Sequence, residues 1–136
     1  GAGSFGHFQA SEYGLKSGGS PESWREGLVL THESVLKLNS ILISAHTSLH
    51  LPVIGLSLFP MTTTSHRQIS DAGVLSRVER LLSLGLMPML HGDVVLDDTQ
   101  TCAILSGDRV ILWLCEHMMR TKERDTQRER DTYRER

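Results

Sequence analysis

The segment DAGVLSRVERLLSLGLMPMLHGD, residues 71–93, decides the fold. Its apolar residues recur every three or four positions before Gly85, which predicts an amphipathic helix ended by a glycine. The apolar run over 86–90 then predicts a buried strand that leads into the turn His91-Gly92-Asp93. Helix, strand and Gly-Asp turn in this order are typical of α/β proteins, whose ligands lie beyond the carboxyl ends of parallel strands.

The flanking sequence continues this alternation of helices and strands. The further predicted elements are a helix over 5–13, a helix beginning at 31–34, a buried parallel strand within 51–60, a polar loop over 61–70, a β-hairpin of 94–96 with 102–105, and a helix over 109–118. Thr31 or Ser34 is the expected N-cap of the second helix, and Ser70 or Asp71 that of the helix before Gly85. The second helix is apolar on several sides, so we expect much of its surface to be covered.

Length and composition indicate one globular domain. The chain has 136 residues, of which 39% are hydrophobic and 22% charged, and this is enough for a single core. It has no apolar run of about eighteen residues and no signal pattern, so no membrane span is expected. Cys102 and Cys115 form neither a disulfide framework nor a metal cluster, which favours the cytosol. The formal charge of −2 gives no electrostatic reason to expect a nucleic-acid partner.

Residues 120–136 differ in kind from the rest of the chain. Two near copies of one motif, residues 124–130 and 130–136, carry charges of both signs and almost no aliphatic side chains. Such a segment buries too little surface to fold alone. We therefore expect a domain over 1–119 and a tail that is disordered or not native to that fold. A charged helix, a binding tail, and a translated simple repeat or retained intron are the alternatives.

The amino-terminal segment Gly1-Ala2-Gly3-Ser4-Phe5-Gly6-His7 predicts an anion site. Its glycines let a ligand approach the backbone N–H groups closely, and the helix that follows presents its positive dipole end. His7 lies about one turn into that helix, where its ring can donate a hydrogen bond to the anion. An ordinary glycine-rich loop is the alternative.

Histidine and aspartate residues elsewhere suggest less specific roles. His32, His46 and His50 do not converge with any carboxylate or cysteine pattern, so we expect them at the surface or at a rim and not as ligands. Near the predicted strand ends or turns lie three aspartates, Asp93, Asp97 and Asp108. Aspartate supplies helix caps and turns routinely, so a structural role is the ordinary interpretation of each.

Three segments in the same order resemble the isopentenyl phosphate kinases, a branch of the amino-acid kinase superfamily. They are GAGSFGH at 1–7, LMPMLHGDVVLD at 86–97 and ILSGD at 104–108. The resemblance covers residues 1–117. It implies a three-layer αβα sandwich around a mainly parallel sheet, of which this chain is the substrate-side part. It also implies that ATP, with Mg²⁺, phosphorylates isopentenyl phosphate to isopentenyl diphosphate.

The resemblance implies roles for five residues. Ala2 and Gly3 lie between the two substrates, with Ala2 on the monophosphate side and Gly3 on the nucleotide side. His7 contacts the substrate phosphate and distinguishes this branch from carboxylate-phosphorylating relatives. Gly92 falls at a substrate-contacting turn. Asp108 matches the acid that orients catalytic lysines, so the catalytic candidates are His7 and Asp108. The expected ATP-binding residues are Gly3 and Asp108. No protein ligand to a metal is expected.

Some features of the family have no counterpart in this sequence. They are an amino-terminal strand with lysines and a carboxy-terminal half with another phosphate-binding lysine, and Lys16, Lys37 and Lys122 match none of those lysines. We therefore expect little or no kinase activity from this chain, the full-length product being the enzyme. Two alternatives stay open: a related kinase acting on a carboxylate such as glutamate or acetylglutamate, and a non-catalytic fragment that binds phosphate ligands or pairs with a full-length subunit. Homodimer formation is also open.

Overall fold

The computed structural model of the protein describes residues 2–70 and 73–134. Within them the helices are α1 (Ser4–Glu12), a 3-10 helix (Leu15–Ser17), α2 (Trp24–Ser48), α3 (Gly73–Ser83) and α4 (Gly107–Arg134). The strands are β1 (Val53–Gly55), β2 (Thr63–Ser65), β3 (Gln68–Ile69), β4 (Met87–Met89), β5 (Asp93–Asp97) and β6 (Thr101–Leu105). Asp71, one of the two predicted caps of α3, lies outside the described residues.

The strands pair in both directions. β1 pairs with β4 in parallel, with Val53 opposite Met87. The helix α3 lies between these two strands in the sequence. A second sheet has the order β3-β2-β5-β6, in which β2 and β5 are parallel and the two outer pairings are antiparallel. Gly85 ends the α3 segment with a φ of 75°, as the predicted glycine C-cap requires. Helices therefore alternate with strands that pair in parallel, which confirms the α/β class.

The β5–β6 hairpin builds the core because both of its faces are buried. Side chains alternate between the two faces of a strand. One face carries Val95, Ala103 and Leu105. It packs on α3 and α4 through four buried residues, Val74, Val78, Val110 and Leu114. The other face carries Val94 and Cys102, and it packs on α1, the 3-10 helix and α2 through Ala10, Leu15 and Leu28. Helices thus cover both faces, which gives the three layers.

The prediction that the second helix begins at 31–34 is wrong, because α2 begins at Trp24. Thr31, a predicted N-cap, lies inside the helix and is only 2% exposed. The earlier turns are held by tertiary packing: Leu28 joins the core, and Gly27 lies so close to Tyr13 that a β-carbon would clash with it. This packing outweighs the low helix propensity of glycine.

The surface of α2 is less covered than predicted. Ile41, in its carboxy-terminal half, is 58% exposed, and Leu49, the residue after its end, is 70% exposed. The neighbouring strand β1 is parallel, as predicted, but it is not buried, since Ile54 is 42% exposed. In the described part of the chain, β1 and β4 form a two-stranded sheet, so each strand has one edge without a partner strand there. The apolar stripe of α2 accordingly extends beyond the elements that pack on it.

Residues 61–70, predicted to form a loop, contain the strands β2 and β3 instead. Thr64 lies opposite Ile69 in this hairpin. His66 and Arg67 form its turn with φ angles of 49° and 62°, and two consecutive positive φ values are what a two-residue type I′ hairpin requires. Neither residue is the Gly, Asn or Asp that usually marks such a turn, so the sequence carried no local signal for it.

The Asp97 carboxylate ties this hairpin to the β5–β6 turn. Its Oδ2 accepts hydrogen bonds from Thr64 Oγ1 at 2.7 Å and from the Arg67 N–H at 2.8 Å. Its Oδ1 accepts from the N–H and hydroxyl of Thr99 and from the Gln100 N–H. Burial alone would raise the pKa of Asp97, but the hydrogen bonds from Thr99, Thr64 and the Arg67 amide outweigh it and hold that pKa well below its usual range. Asp97 is therefore a turn-forming residue.

The last helix is longer than predicted. α4 begins at Gly107, close to the predicted start, but it continues to Arg134 and not to about Met118. Side chains 122–133 are exposed, and Thr126 and Thr132 bond back to carbonyls of their own helix. Of the alternatives for the tail, a charged helix is the form in this structure, while the division at residue 119 stays a prediction. Among the described residues, no helix is both long and apolar enough to cross a membrane.

Replacing Asp97 by Asn should destabilise the fold in a pH-dependent way. Asn cannot accept all the bonds that the carboxylate accepts, so we expect a loss of about 2–4 kcal/mol in the free energy of unfolding at pH 7. Because the folded pKa lies below the unfolded value of about 3.9, the advantage of Asp is complete above that pH and shrinks as pH falls below about 4. Urea unfolding of both proteins at several pH values measures this.

Asp98→Asn is the matched control for this substitution, because Asp98 is the next residue and its side chain is exposed. It should change stability by no more than about 0.5 kcal/mol. Equal effects of the two substitutions at pH 7 would show that Asp97 does not anchor the two turns.

Candidate functional site

A cavity of about 730 Å³ lies where α1, α2, α4 and the β5–β6 hairpin meet. Two helices begin at its wall, α1 at Ser4 and α4 at Gly107. The first N–H groups of a helix have no partner within that helix, and they carry the positive end of the helix dipole. Two helix starts at one cavity therefore favour an anionic ligand.

The start of α1 supplies two of the predicted site residues. Ala2 and His7 line the cavity, and the His7 side chain is exposed. Gly3, which lies between Ala2 and Ser4, is not among the lining residues. Its φ of 52° and ψ of −136° are readily accessible only to glycine, so Gly3 sets the direction in which the chain enters α1. Gly1, the first residue of the predicted loop, lies outside the described residues.

The turn before β5 touches the start of α4. A β-carbon on Gly92 would lie 2.6 Å from the Gly107 nitrogen and 2.9 Å from the Leu105 carbonyl oxygen, so only glycine permits this approach. Ser106 Oγ accepts a hydrogen bond from the Arg109 N–H at 3.3 Å and caps α4. Asp108, in the first turn of α4, lines the same cavity as Gly92.

Among the described residues, the cationic side chains at the cavity are Lys16, Arg67 and Arg109. The Arg67 guanidinium donates to the Lys16 carbonyl oxygen at 3.0 Å and to Gln100 Oε1 at 3.2 Å. Arg109 Nη1 donates to the Arg67 carbonyl oxygen at 2.9 Å. These acceptors are uncharged, so they leave the positive charge of the two guanidinium groups available to an anion. Arg67 and Arg109 were missed because they meet only through the unpredicted β2–β3 hairpin.

The inner wall of the cavity is mostly small and apolar. It contains Ala10 of α1, Val35 of α2, and Ile104 and Leu105 of β6. Gly6 brings α1 close to α2, since a β-carbon there would lie 3.6 Å from Val35 Cγ2. The cavity thus has a charged rim and an apolar interior, a combination suited to an amphipathic ligand.

His32 is paired with a carboxylate, so the prediction that it lies apart from one is wrong. Its Nδ1 is 2.6 Å from Asp93 Oδ2, and His91 Nδ1 is 3.9 Å from the same oxygen. Asp93 Oδ1 accepts from the Val94 N–H at 2.8 Å. Burial raises the pKa of Asp93, against the opposing effects of His32 and His91. Because His32 and Asp93 are 61 positions apart, no local spacing pattern reveals the pair.

The predicted site residues largely come together. Ala2, His7, Gly92 and Asp108 line one cavity, and Gly3 adjoins it in the chain, while their roles toward substrate and nucleotide stay predictions. Within residues 2–70 and 73–134, no three His, Cys, Asp or Glu side chains are grouped as a metal site.

Replacing Gly92 by Ala should destabilise the protein by about 1–3 kcal/mol, because the new β-carbon would meet backbone atoms that cannot move independently. Gly107→Ala is the matched control on the other side of the same contact. Its β-carbon would lie 3.6 Å from the Gly92 nitrogen, an ordinary contact, and Ala favours the helix. Urea unfolding compares the two, and a Gly92→Ala protein as stable as Gly107→Ala would contradict the close approach.

Known proteins resemble this chain in sequence. The amino acid kinase family matches residues 1–121. The isopentenyl phosphate kinase of Arabidopsis thaliana is 42% identical over 120 residues, which cover 87% of this chain and 36% of that protein. The isopentenyl phosphate kinase of Methanothermobacter thermautotrophicus is 34% identical over 117 residues, which cover 82% of this chain and 44% of that protein.

Solved structures agree with the sequence relatives. An X-ray structure of isopentenyl phosphate kinase matches with a TM-score of 0.75 at 33% identity, over 80% of this chain and 46% of that chain. A crystal structure of an isopentenyl phosphate kinase substrate complex matches with a TM-score of 0.71 at 25% identity, over 86% and 47%. The chain spans less than half the length of these relatives. It belongs to the amino acid kinase family.

Proposed function

We propose that this chain forms the substrate-binding part of an ATP-dependent isopentenyl phosphate kinase. The observation that carries the proposal is the single cavity at which two helix starts, His7 and three cationic side chains surround an apolar interior. The similarity to isopentenyl phosphate kinases over most of this chain supports the same substrate. Isopentenyl phosphate has the matching chemistry, a phosphate head on a short branched hydrocarbon.

The phosphate head of the substrate would lie at the start of α1. There His7 donates a hydrogen bond to it, Ala2 borders it, and the turn at Gly92 faces it from the other wall. Hydrogen bonds to a charged phosphate oxygen are stronger than those between neutral groups. The hydrocarbon would lie along Ala10, Val35 and Ile104, where its transfer out of water is favourable.

ATP would approach from the start of α4. Gly3 and Asp108 would lie on the nucleotide side, with Arg67 and Arg109 offsetting phosphate charge. Mg²⁺ would arrive with the ATP phosphates and neutralise part of their charge. A substrate phosphate oxygen would then attack the γ-phosphorus, the bond from that phosphorus to the β,γ-bridging oxygen would break, and ADP would leave. Transfer of this kind depends on positioning and on charge stabilisation more than on covalent help from the protein.

Two other functions follow from the same cavity. One is a chain that binds phosphate ligands without transferring phosphate, for which the anion site at the two helix starts would be sufficient. A kinase for a carboxylate such as acetylglutamate is the other, and the resemblance, which makes His7 the mark of the branch that phosphorylates a phosphate, argues against it. We place the function in the cytosol, consistent with Cys102 and Cys115 being free thiols.

A homodimer is part of the proposal. The exposed apolar side chains in and between α2 and β1, among them Ile41, Leu49 and Ile54, form the surface on which a second copy would pack, since burying them is favourable. Sedimentation equilibrium of the purified chain would reveal the dimer, and a monomer at all concentrations would remove it from the proposal.

Replacing His7 by Ala should weaken binding of isopentenyl phosphate by tenfold or more, because a hydrogen bond to a charged group contributes about 1.5–3 kcal/mol. Isothermal titration calorimetry measures the affinity. His46→Ala is the control, since His46 Nδ1 bonds the Leu42 carbonyl of its own helix, on an exposed surface. Equal affinity of the His7→Ala and parent proteins would contradict the proposed head-group site.

Phosphorus NMR with ATP, Mg²⁺ and each substrate tests which substrate is phosphorylated. Isopentenyl diphosphate as product would support the kinase and overturn the expectation of little or no activity from this chain alone. Binding without product is the result which that expectation predicts, and the non-catalytic alternative predicts it too. Phosphorylation of acetylglutamate in place of isopentenyl phosphate would overturn the substrate assignment.

A further inference from the structure

The Thr31 hydroxyl is buried at the cavity wall without a partner. Thr31 is 2% exposed, and its Oγ1 has no hydrogen bond to any described residue. An unsatisfied buried hydroxyl lowers the stability of the folded protein, so native proteins rarely keep one without a reason. Thr31 also lines the cavity at whose wall α1 and α4 begin.

Three other helical threonines satisfy their hydroxyls within the helix. Thr121, Thr126 and Thr132 each donate to the carbonyl four residues earlier, at 3.0, 2.9 and 2.9 Å. The equivalent acceptor for Thr31 is the Gly27 carbonyl, which its hydroxyl does not reach in hydrogen-bonding geometry. The O–H of Thr31 is therefore available to donate a hydrogen bond to a partner outside its own helix.

Lack of a partner is not by itself specific to Thr31. Among the described residues, four other buried side-chain atoms also lack one: Gln9 Oε1, Asn39 Oδ1, Thr62 Oγ1 and His91 Nε2. None of these four residues lines the cavity, whereas Thr31 does. The combination of an unsatisfied donor and a place at the ligand cavity distinguishes Thr31 from the others.

We propose that Thr31 is a ligand-binding residue whose hydroxyl donates a hydrogen bond to an oxygen of the phosphomonoester head group. Thr31 precedes Val35 by one helical turn and so lies on the same side of α2, and both residues line the cavity. A hydrocarbon tail offers no acceptor there, so the head group is the part of such a ligand that can satisfy the hydroxyl. This inference rests on the proposed function, because it takes isopentenyl phosphate as the ligand.

Thr31→Val tests the inference, since Val has nearly the same shape and no hydroxyl. We expect affinity for isopentenyl phosphate to fall about tenfold, while the melting temperature without ligand stays equal or rises because an unsatisfied polar group has been removed. Thr31→Ser keeps the hydroxyl and should bind within a few-fold of the parent. Calorimetric titration and thermal melts of the whole chain measure both quantities.

Thr62→Val is the matched control. Thr62 is 1% exposed and its Oγ1 is equally without a partner, but it lies away from the cavity. The same substitution should therefore leave affinity unchanged. A second titration with methyl phosphate tests the head group alone, and Thr31→Val should weaken this binding by a similar factor.

The outcomes separate this inference from the proposed function. If the parent binds isopentenyl phosphate and Thr31→Val binds it equally well, the role of Thr31 is wrong and the proposed function stands. An equal loss in Thr31→Val and Thr31→Ser would assign the effect to packing and overturn the inference. A loss confined to isopentenyl phosphate, absent with methyl phosphate, would overturn the head-group contact. A parent that binds neither ligand would overturn both proposals.

Discussion

The β5–β6 hairpin is the constraint on which the rest of the structure depends, because both of its faces and both of its ends are occupied. Its faces carry the two apolar clusters that hold α1 and α2 on one side and α3 and α4 on the other. At one end Asp97 binds two turns together. At the other end Gly92 touches Gly107, and there the cavity opens. The same short hairpin therefore supplies the core and positions the site.

The cavity follows from this arrangement. Packing on the first face places the start of α4 beside the turn before β5, and packing on the second face brings α1 against α2 at Gly6 and Val35. The two helix starts then converge on one space. Their combined dipoles and the neighbouring cations favour an anion, while the apolar wall beneath favours a hydrocarbon. A phosphate ester of a short hydrocarbon satisfies both.

Sequence patterns predicted the parts of this fold that have local causes. Helical periodicity and the glycine at 85 predicted α3, and the apolar runs 94–96 and 102–105 on either side of residues 97–101 predicted the β5–β6 hairpin. The resemblance of residues 1–7, 86–97 and 104–108 to the isopentenyl phosphate kinases predicted four residues that line the cavity. In each case the signal lies within a few positions of the feature, so one sequence is sufficient to detect it.

The missed features depend on contacts between distant residues. α2 begins early because Gly27 packs against Tyr13, and the β2–β3 turn forms without a typical turn residue because Asp97 holds the Arg67 amide. The pairing of His32 with Asp93 spans 61 positions. Arg67 and Arg109 meet only after these contacts have formed. Tertiary packing therefore overrides local propensity at the places where the site is completed.

The most direct test of the central claim is an amide NMR titration of the whole chain with isopentenyl phosphate. A phosphate head group at the start of α1 should shift the amide signals of Ser4–His7 and Gly92 most, and leave those of Ile41 to Ser48 in α2 unchanged. Shifts centred on that exposed half of α2, or no shifts at all, would contradict a phosphate site formed by the β5–β6 hairpin and the helices packed on it.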